Sequence, residues 1–477
     1  MNPSDFRRHG HELMEWIADY YENIDTRSVQ PPTKPGDVKA LLPGSAPDQP
    51  EPFERIISDL NSIVLPNVTH WQHPDFFGYF PSNSLGAGIL GELISTGLGV
   101  LGLSWQASPA VTEVEEVVVD WFRQMVGLSA NWMGVINDTA STSTLVSLLC
   151  ARERSTNYSM TRDGFQGDDQ NLIVYTSASA HSSVEKAALL AGFGRLNVRH
   201  IEVDETFSMR ADLLEQAIAL DKINGKQPCA VVAAIGGTAT TSIDPLSQIA
   251  SIARNHSVWL HVDAAMAGNA MILPECRWMW AGIELADSLV INPHKWLGVP
   301  FDCSLYFVRD EQHLQRVMST NASYLQSRVD SLVRNLRDTG IPLGRRFRAL
   351  KLWFLIREQG VSRLQSRLRR DLDLAKSLAV EIASTPDWHL VAPVNLQTVC
   401  IRYQPENVPE ERLNDFTRAW AEEVNASGEA FVTPAAVNGR WMVRISIGAP
   451  TTDEVNVKRL WTLIQKISAA KAHEFGS

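Results

Sequence analysis

The chain has 477 residues, enough for two or three domains and a large core, with 44% hydrophobic and 20% charged residues as in ordinary globular proteins. A formal net charge of −11 argues against a nucleic-acid partner, because phosphate backbones need a basic surface. Cys150, Cys229, Cys276, Cys303 and Cys400 are odd in number and scattered, with no CxxC pair, so neither a zinc site nor a disulfide framework is expected. Reduced thiols predict a cytoplasmic protein, and no apolar run approaches the roughly 20 residues that span a bilayer.

Residues 5–24 read as an amphipathic helix with Phe6, Leu13, Trp16, Ile17 and Tyr20 on one side. A Pro-rich connector from Pro31 to Pro52 follows, and then a second helix to about Leu65. This appendage is too small to bury its own apolar faces, which predicts packing on another subunit. Between about residues 110 and 310, short apolar runs alternate with amphipathic stretches such as Asp244–His256. The runs are Leu172–Ser177, Ala230–Gly236, Val258–Asp263, Ser288–Asn292 and Ser304–Val308. Such alternation predicts an α/β fold, a mostly parallel central sheet with helices on both faces. Met318–Arg348 is arginine-rich, contains glycine and has few apolar anchors, and reads as a mobile loop. Helices over 347–360 and 364–383, strands at Thr398–Tyr403 and Trp441–Ile447, and a closing helix predict a C-terminal α+β domain. Glu474-Phe475-Gly476-Ser477 reads as a translated remnant of cloning sites.

Four segments carry chemistry. In Asn292-Pro293-His294-Lys295-Trp296 a lysine leaves a buried strand end, where low dielectric depresses its pKa and frees a nucleophilic amine. An isolated lysine there would be a solvated turn residue; its flanks select the other reading. In Trp259–Ala265 an apolar strand ends in Asp263, a costly carboxylate unless a cation answers it. A protonated pyridine nitrogen is such a cation, and the plain alternative is a turn-capping aspartate. His181, in Ser179–Ser183, could stack on a flat ring, although a histidine near a helix start more often caps it. Asp138–Ser143 precedes a helix expected over Thr144–Arg154, and small hydroxyl residues at a helix N-terminus suit a phosphate. Two look-alikes fall away. Gly97–Gly102 matches GxGxxG without a preceding strand, and Ser183–Lys186 matches SxxK without its companion motifs. No metal site is expected.

Phosphate segment, His181, Asp263 and Lys295 stand in the order of the group II pyridoxal-phosphate (PLP) decarboxylases, and the chain resembles the aromatic-L-amino-acid (DOPA) decarboxylases among them. The resemblance also rests on His73–Pro81, Gly102–Pro109, Ala180–Val184, His261–Ala265, Asn292–Trp296 and Ile341–Phe347. It implies the PLP-dependent transferase fold type I. It also implies a dimerisation segment at 1–85, a PLP-binding domain at 86–348 and a small domain at 349–473. Lys295 is similar to the lysine that carries the cofactor, Asp263 to the partner of the pyridine nitrogen, and His181 to the stacked imidazole. Ala140, Ser141, Asn292 and His294 match phosphate contacts, while Thr238 matches a residue beside the cofactor and Ala265 one beneath its ring. Trp71, Tyr79, Phe80, Pro81 and Ser82 match a wall of the substrate pocket, which Leu101, Leu103 and Gly344 complete. Leu101, Leu103 and Phe301 match residues given across a homodimer interface, so the resemblance implies shared active sites. Tyr324 matches a loop tyrosine that returns a proton to Cα. Asp138-Thr139 in place of Gly-Ser, Leu103 in place of an aromatic and Thr339 in place of Trp depart from the pattern and bear on substrate choice. The implied activity is decarboxylation of an aromatic L-amino acid to its amine. The rival readings are an aromatic aldehyde synthase on the same scaffold and a PLP-holding protein without turnover.

Overall fold

The computed structural model describes residues 1–164, 171–320, 329–330 and 332–476. The chain divides into two compact units: Ser82–Ala375 with Val391–Thr398, and Met1–Pro81 with Lys376–Leu390 and Val399–Ser477.

The larger unit is built on a sheet of seven strands: β1 (Met133–Asn137), β2 (Leu172–Ser177), β3 (Val198–Ile201), β4 (Gln227–Ala234), β5 (Trp259–Asp263), β6 (Ser288–Ile291) and β7 (Ser304–Val308). Their order is β1-β7-β6-β5-β4-β2-β3. The pairs from β6 to β3 are parallel, and β7 runs antiparallel to both its neighbours. β2, β6 and β7 are buried at every residue, as their continuous apolar runs require for strands covered on both faces. Because β7 reverses twice, β1 points the same way as β6. Asn137 lies level with Ser304 and Ile291 with Leu305, so β1 and β6 end at the same edge of the sheet. Every loop that leaves a parallel strand therefore opens on that edge, where α/β sheets place their ligands.

The expected helix over Thr144–Arg154 begins earlier, at Ala140, and runs to Ser155. Its hydroxyl residues lie inside the first turns and not before them. The segment expected to be a mobile loop is, in its described part, tied down. Leu336–Thr339 forms a 3-10 turn, and Arg337 and Arg345 are buried. Arg334 binds Glu311 through two nitrogens, and Arg345 binds Glu115. Helix Ala349–Ala383 is broken at Gly360, whose φ of 62° and ψ of 166° are non-helical, so the two helices expected there form one interrupted element.

The smaller unit holds a four-stranded sheet, β8 (Trp388–Leu390), β9 (Thr398–Tyr403), β10 (Thr433–Val437) and β11 (Arg440–Ser446), in the order β10-β11-β9-β8. Helices Leu413–Ala426 and Glu454–Gly476 belong to it. The closing helix continues through Glu474 and Phe475, and the Phe475 ring meets Phe416 at 5.7 Å. The N-terminal helix spans Pro3–Glu22, capped by the side chain of Asn2, with only His9 buried. The second expected helix is α-helical over Phe53–Asp59 and continues as a π turn over Leu60–Val64. Phe6, Leu41, Leu42, Ile56, Val64 and Val68 remain exposed.

Candidate active site

The edge where β1, β2, β4, β5 and β6 end gathers the residues singled out in the larger unit. Asp263 is the last residue of β5, level with Ala234 of β4 and Val290 of β6. Its Oδ1 accepts the N–H of Ala265 at 3.0 Å, which folds the chain sharply after the strand. The carbonyl of Ala265 then accepts the N–H of Asn292 at 2.8 Å, joining the Asp263 turn to the segment that carries Lys295. Ala140, Ala265 and Val290 pack together, so the first residue of the Ala140–Ser155 helix touches the same floor.

That helix has no side-chain cap; Thr139, its N-cap residue, uses its own N–H on Asp138 Oδ1 at 2.6 Å. The first N–H groups, at Ala140 and Ser141, are left as donors beside the positive end of the helix dipole. Asn292 is buried, and its Oδ1 has no hydrogen-bond partner among the described residues. His294 is buried and accepts the Cys303 N–H on Nδ1 at 2.9 Å. In the neutral ring this leaves Nε2 as the donor. Burial, reinforced by Lys295, pushes its pKa down to about 4, so the neutral form prevails near neutral pH.

His181 caps the helix Ser182–Leu190, its Nδ1 accepting the Ser183 N–H at 3.1 Å and meeting Ser183 Oγ at 2.7 Å. It too presents Nε2–H. Burial holds this imidazole below the usual histidine value, with Asp263 opposing the shift and Lys295 adding to it. His181, Asp263 and Lys295 thus lie within electrostatic reach of one another, although they are separated by 82 and 32 residues in sequence. The Gly236–Thr238 loop is folded back by the N–H groups of Gly236 and Gly237, both on the Ser242 carbonyl at 2.9 Å. A Cβ on Gly237 would sit 2.6 Å from Ser242 Oγ and 3.9 Å from the Ser179 carbonyl, so this turn is tightly packed and adjoins the His181 loop.

The Ser82 hydroxyl donates to the His294 carbonyl at 3.0 Å. The Phe301 ring lies 4.9 Å from His294, and Phe301 is 66% exposed. Leu101, Leu103 and Gly344 are brought together by backbone bonds, Gly102 N–H to the Arg345 carbonyl at 2.8 Å and Arg337 N–H to the Leu103 carbonyl at 3.0 Å. A Cβ on Gly344 would meet nothing within 4 Å.

In the smaller unit Trp71 stacks on Tyr79, with centroids 5.1 Å apart and planes 3° from parallel. Phe431, which sequence reasoning missed, stacks on Phe76 at 5.2 Å and on Tyr79 at 5.8 Å. The Arg444 guanidinium lies 4.9 Å over Phe80, and Pro81 ends this segment of the unit. Tyr324 lies outside the described residues.

An uncapped helix start, two Nε2–H donors, a carboxylate and a lysine fit PLP: anion donors for its phosphate, an acid for its nitrogen, an amine for its aldehyde. Among the described residues no cluster of three His, Cys, Asp or Glu could hold a metal ion.

Comparison with known proteins agrees with this donor set. The pyridoxal-dependent decarboxylase conserved domain matches residues 35–404. Phenylacetaldehyde synthase of Arabidopsis thaliana is 39% identical, over 99% of this chain and 98% of that protein. Tryptophan decarboxylase 2 of Oryza sativa subsp. japonica is 37% identical, over 98% of this chain and 95% of that protein. The crystal structure of Oryza sativa TDC with PLP and tryptamine matches with a TM-score of 0.95 at 35% identity, covering 98% of this chain and 99% of that one. The chain is a member of the pyridoxal-dependent decarboxylase family, a PLP-dependent carboxy-lyase of the fold its sequence resembles.

Proposed function

We propose that this enzyme decarboxylates an aromatic L-amino acid to its arylalkylamine and CO2, with Lys295 as the residue that carries PLP. The observation that carries this reading is the convergence of His181, Asp263 and Lys295 at one sheet edge. PLP bound there supplies an electron sink for the bond to the departing carboxylate. With PLP in place, Asp263 would hold a proton on its pyridine nitrogen, His181 would stack on its ring, and Ala265 and Thr238 would line it. Ala140, Ser141, Asn292 and the His294 Nε2–H would hold its phosphate. Trp71, Tyr79, Phe80, Pro81, Ser82, Leu101, Leu103 and Gly344 shape the substrate side, where rings reward an aryl side chain by area burial and ring–ring contact. Tyr324 would be the group that delivers a proton to the substrate's Cα after CO2 has left.

The active form is a homodimer with shared sites. Support comes from the exposure of Leu90, Leu93, Ile94 and Leu98 on helix Gly86–Leu98, and of Leu101 and Phe301. Scattered apolar residues are normal, but a row on one helix marks an interface. Residues 1–85, with their exposed apolar side chains, serve the same contact. We place the enzyme in the cytoplasm, in keeping with five unbridged buried cysteines.

The second reading, an aromatic aldehyde synthase, is favoured by the 39% identity to phenylacetaldehyde synthase. Incubation with L-tryptophan, L-tyrosine, L-DOPA and L-phenylalanine, scoring CO2, amine, aldehyde and H2O2, tests both readings. Amine with stoichiometric CO2 supports decarboxylation. Aldehyde with H2O2 transfers the assignment to the synthase, and no CO2 from any of the four removes both.

A further inference from the structure

We propose that Asp371 and Arg367 are positioning residues for Lys295, acting through Trp296. The proposal rests on reading Lys295 as the lysine that carries the cofactor.

Lys295 lies beyond the end of β6 in a turn, held locally by its own N–H on the Asn292 carbonyl at 3.0 Å. The residue after it is anchored far more firmly. Trp296 is wholly buried, and its indole N–H donates to Asp371 Oδ2 at 2.9 Å. Its carbonyl accepts from the Arg367 guanidinium, also at 2.9 Å. One bond sets the rotation of the indole and the other sets the peptide plane, and both come from positions one turn apart on helix Ala349–Ala383. The orientation of that residue limits where the neighbouring Lys295 side chain can aim.

The clamp is built of buried charge. Asp371 is wholly buried, and its Oδ1 is held by Arg370 through Nε at 3.1 Å and a terminal nitrogen at 2.8 Å. Arg367 has Nε and one terminal nitrogen buried without a partner among the described residues, and burial pushes its pKa down to about 10. An apolar pair would pack against an indole without this desolvation cost. What the charged pair adds is direction: two charge-assisted hydrogen bonds of fixed geometry. Holding the helix in place does not depend on them. Gln365 donates to the Ile272 carbonyl at 2.7 Å, and Arg369 binds Glu275 at 2.6 Å and 3.2 Å. Loss of the clamp therefore leaves the helix docked and frees only the residue beside Lys295.

The test uses the PLP-loaded enzyme and the variants Asp371→Ala, Asp371→Asn and Trp296→Phe. The measurements are the lysine fixed to PLP by borohydride, the pH midpoint of the cofactor's visible absorbance band, kcat and KM, and the melting temperature. Asp371→Ala and Trp296→Phe should shift the band's midpoint and lower kcat by up to about 10²-fold with KM little changed, as misplacement of a reacting group does. Asp371→Asn keeps an acceptor for the indole and should restore most of both. If midpoint and kcat stay at wild-type values while only the melting temperature falls, the residues are structural and the proposal is overturned. Should Asp371→Ala fail to fold, Trp296→Phe and Asp371→Asn still decide, because an unmoved midpoint in Trp296→Phe is equally fatal. Borohydride fixing PLP on another lysine in wild type would instead overturn the reading of Lys295 itself.

Discussion

The backbone N–H of Cys303 donates to Nδ1 of His294 at 2.9 Å, which commits the other ring nitrogen to donation. If that nitrogen serves the cofactor's phosphate, His294→Gln should weaken PLP binding by about 10- to 10²-fold, the value of a hydrogen bond to a charged group. Equilibrium dialysis of PLP measures this, and unchanged affinity would assign His294 to the support of the Cys303 turn alone.

Acid should destabilise the protein through His261. This ring is wholly buried, meets Ser288 Oγ at 2.9 Å, and is pushed down to about 4 by burial. A base whose folded pKa lies below its unfolded value of about 6.5 leaves the unfolded chain binding the proton first. Stability is lost as pH falls from about 6.5 through about 4, at up to about 1.4 kcal/mol per pH unit for this group. Asp244, raised to about 6 by burial, works in the opposite sense over the lower part of that window. Urea titrations between pH 7 and pH 4 should therefore show a flatter decline in His261→Gln than in wild type; parallel curves would exclude the histidine.

Asp263→Asn should retain PLP and lose rate. Removing a pre-organised charge that stabilises the reacting state typically costs about 10²–10³ in rate. Single-turnover decarboxylation on the PLP-loaded variant checks it, and a rate near wild type would deny Asp263 its partnership with the pyridine nitrogen.

Arg345 and Glu115 form a buried ion pair at 2.7 Å, and Glu115 also accepts the Ile136 N–H at 2.9 Å. The pair links the end of β1 to the residue after Gly344. Arg345→Met should cost about 3–5 kcal/mol in urea unfolding, because it strands a buried carboxylate. A second change, Glu115→Gln, should recover part of the loss; no recovery would show that the packing of Arg345 and not its charge is what matters.

Tyr324→Phe keeps the ring and deletes the phenolic proton. A positioned proton donor typically contributes about 10²–10⁴ in rate. With it gone, Cα should stay unprotonated long enough for O2 to react, and aldehyde with H2O2 should rise at the expense of amine. An unchanged product ratio would leave Tyr324 as a loop anchor only.

Much of this protein was legible in one dimension. The strands β2 and β7 and the open sheet follow from continuous apolar runs broken by amphipathic stretches, because a strand covered on both faces has no polar side to show. The order of the phosphate segment, His181, Asp263 and Lys295 is also linear information, and the last three sit at or just past the ends of strands whose apolar runs are visible in the sequence. What lay beyond the sequence needed a partner from far along the chain. β3, four residues of mixed burial at the sheet's edge, has too little apolar pattern to declare itself, and β1 is placed by pairing with β7. Phe431 reaches Tyr79, Asp371 reaches Trp296 and Arg345 reaches Glu115 only once the chain is folded. The period of side chains along an element tells which face is apolar, but not which distant residue will meet it; that choice belongs to tertiary packing.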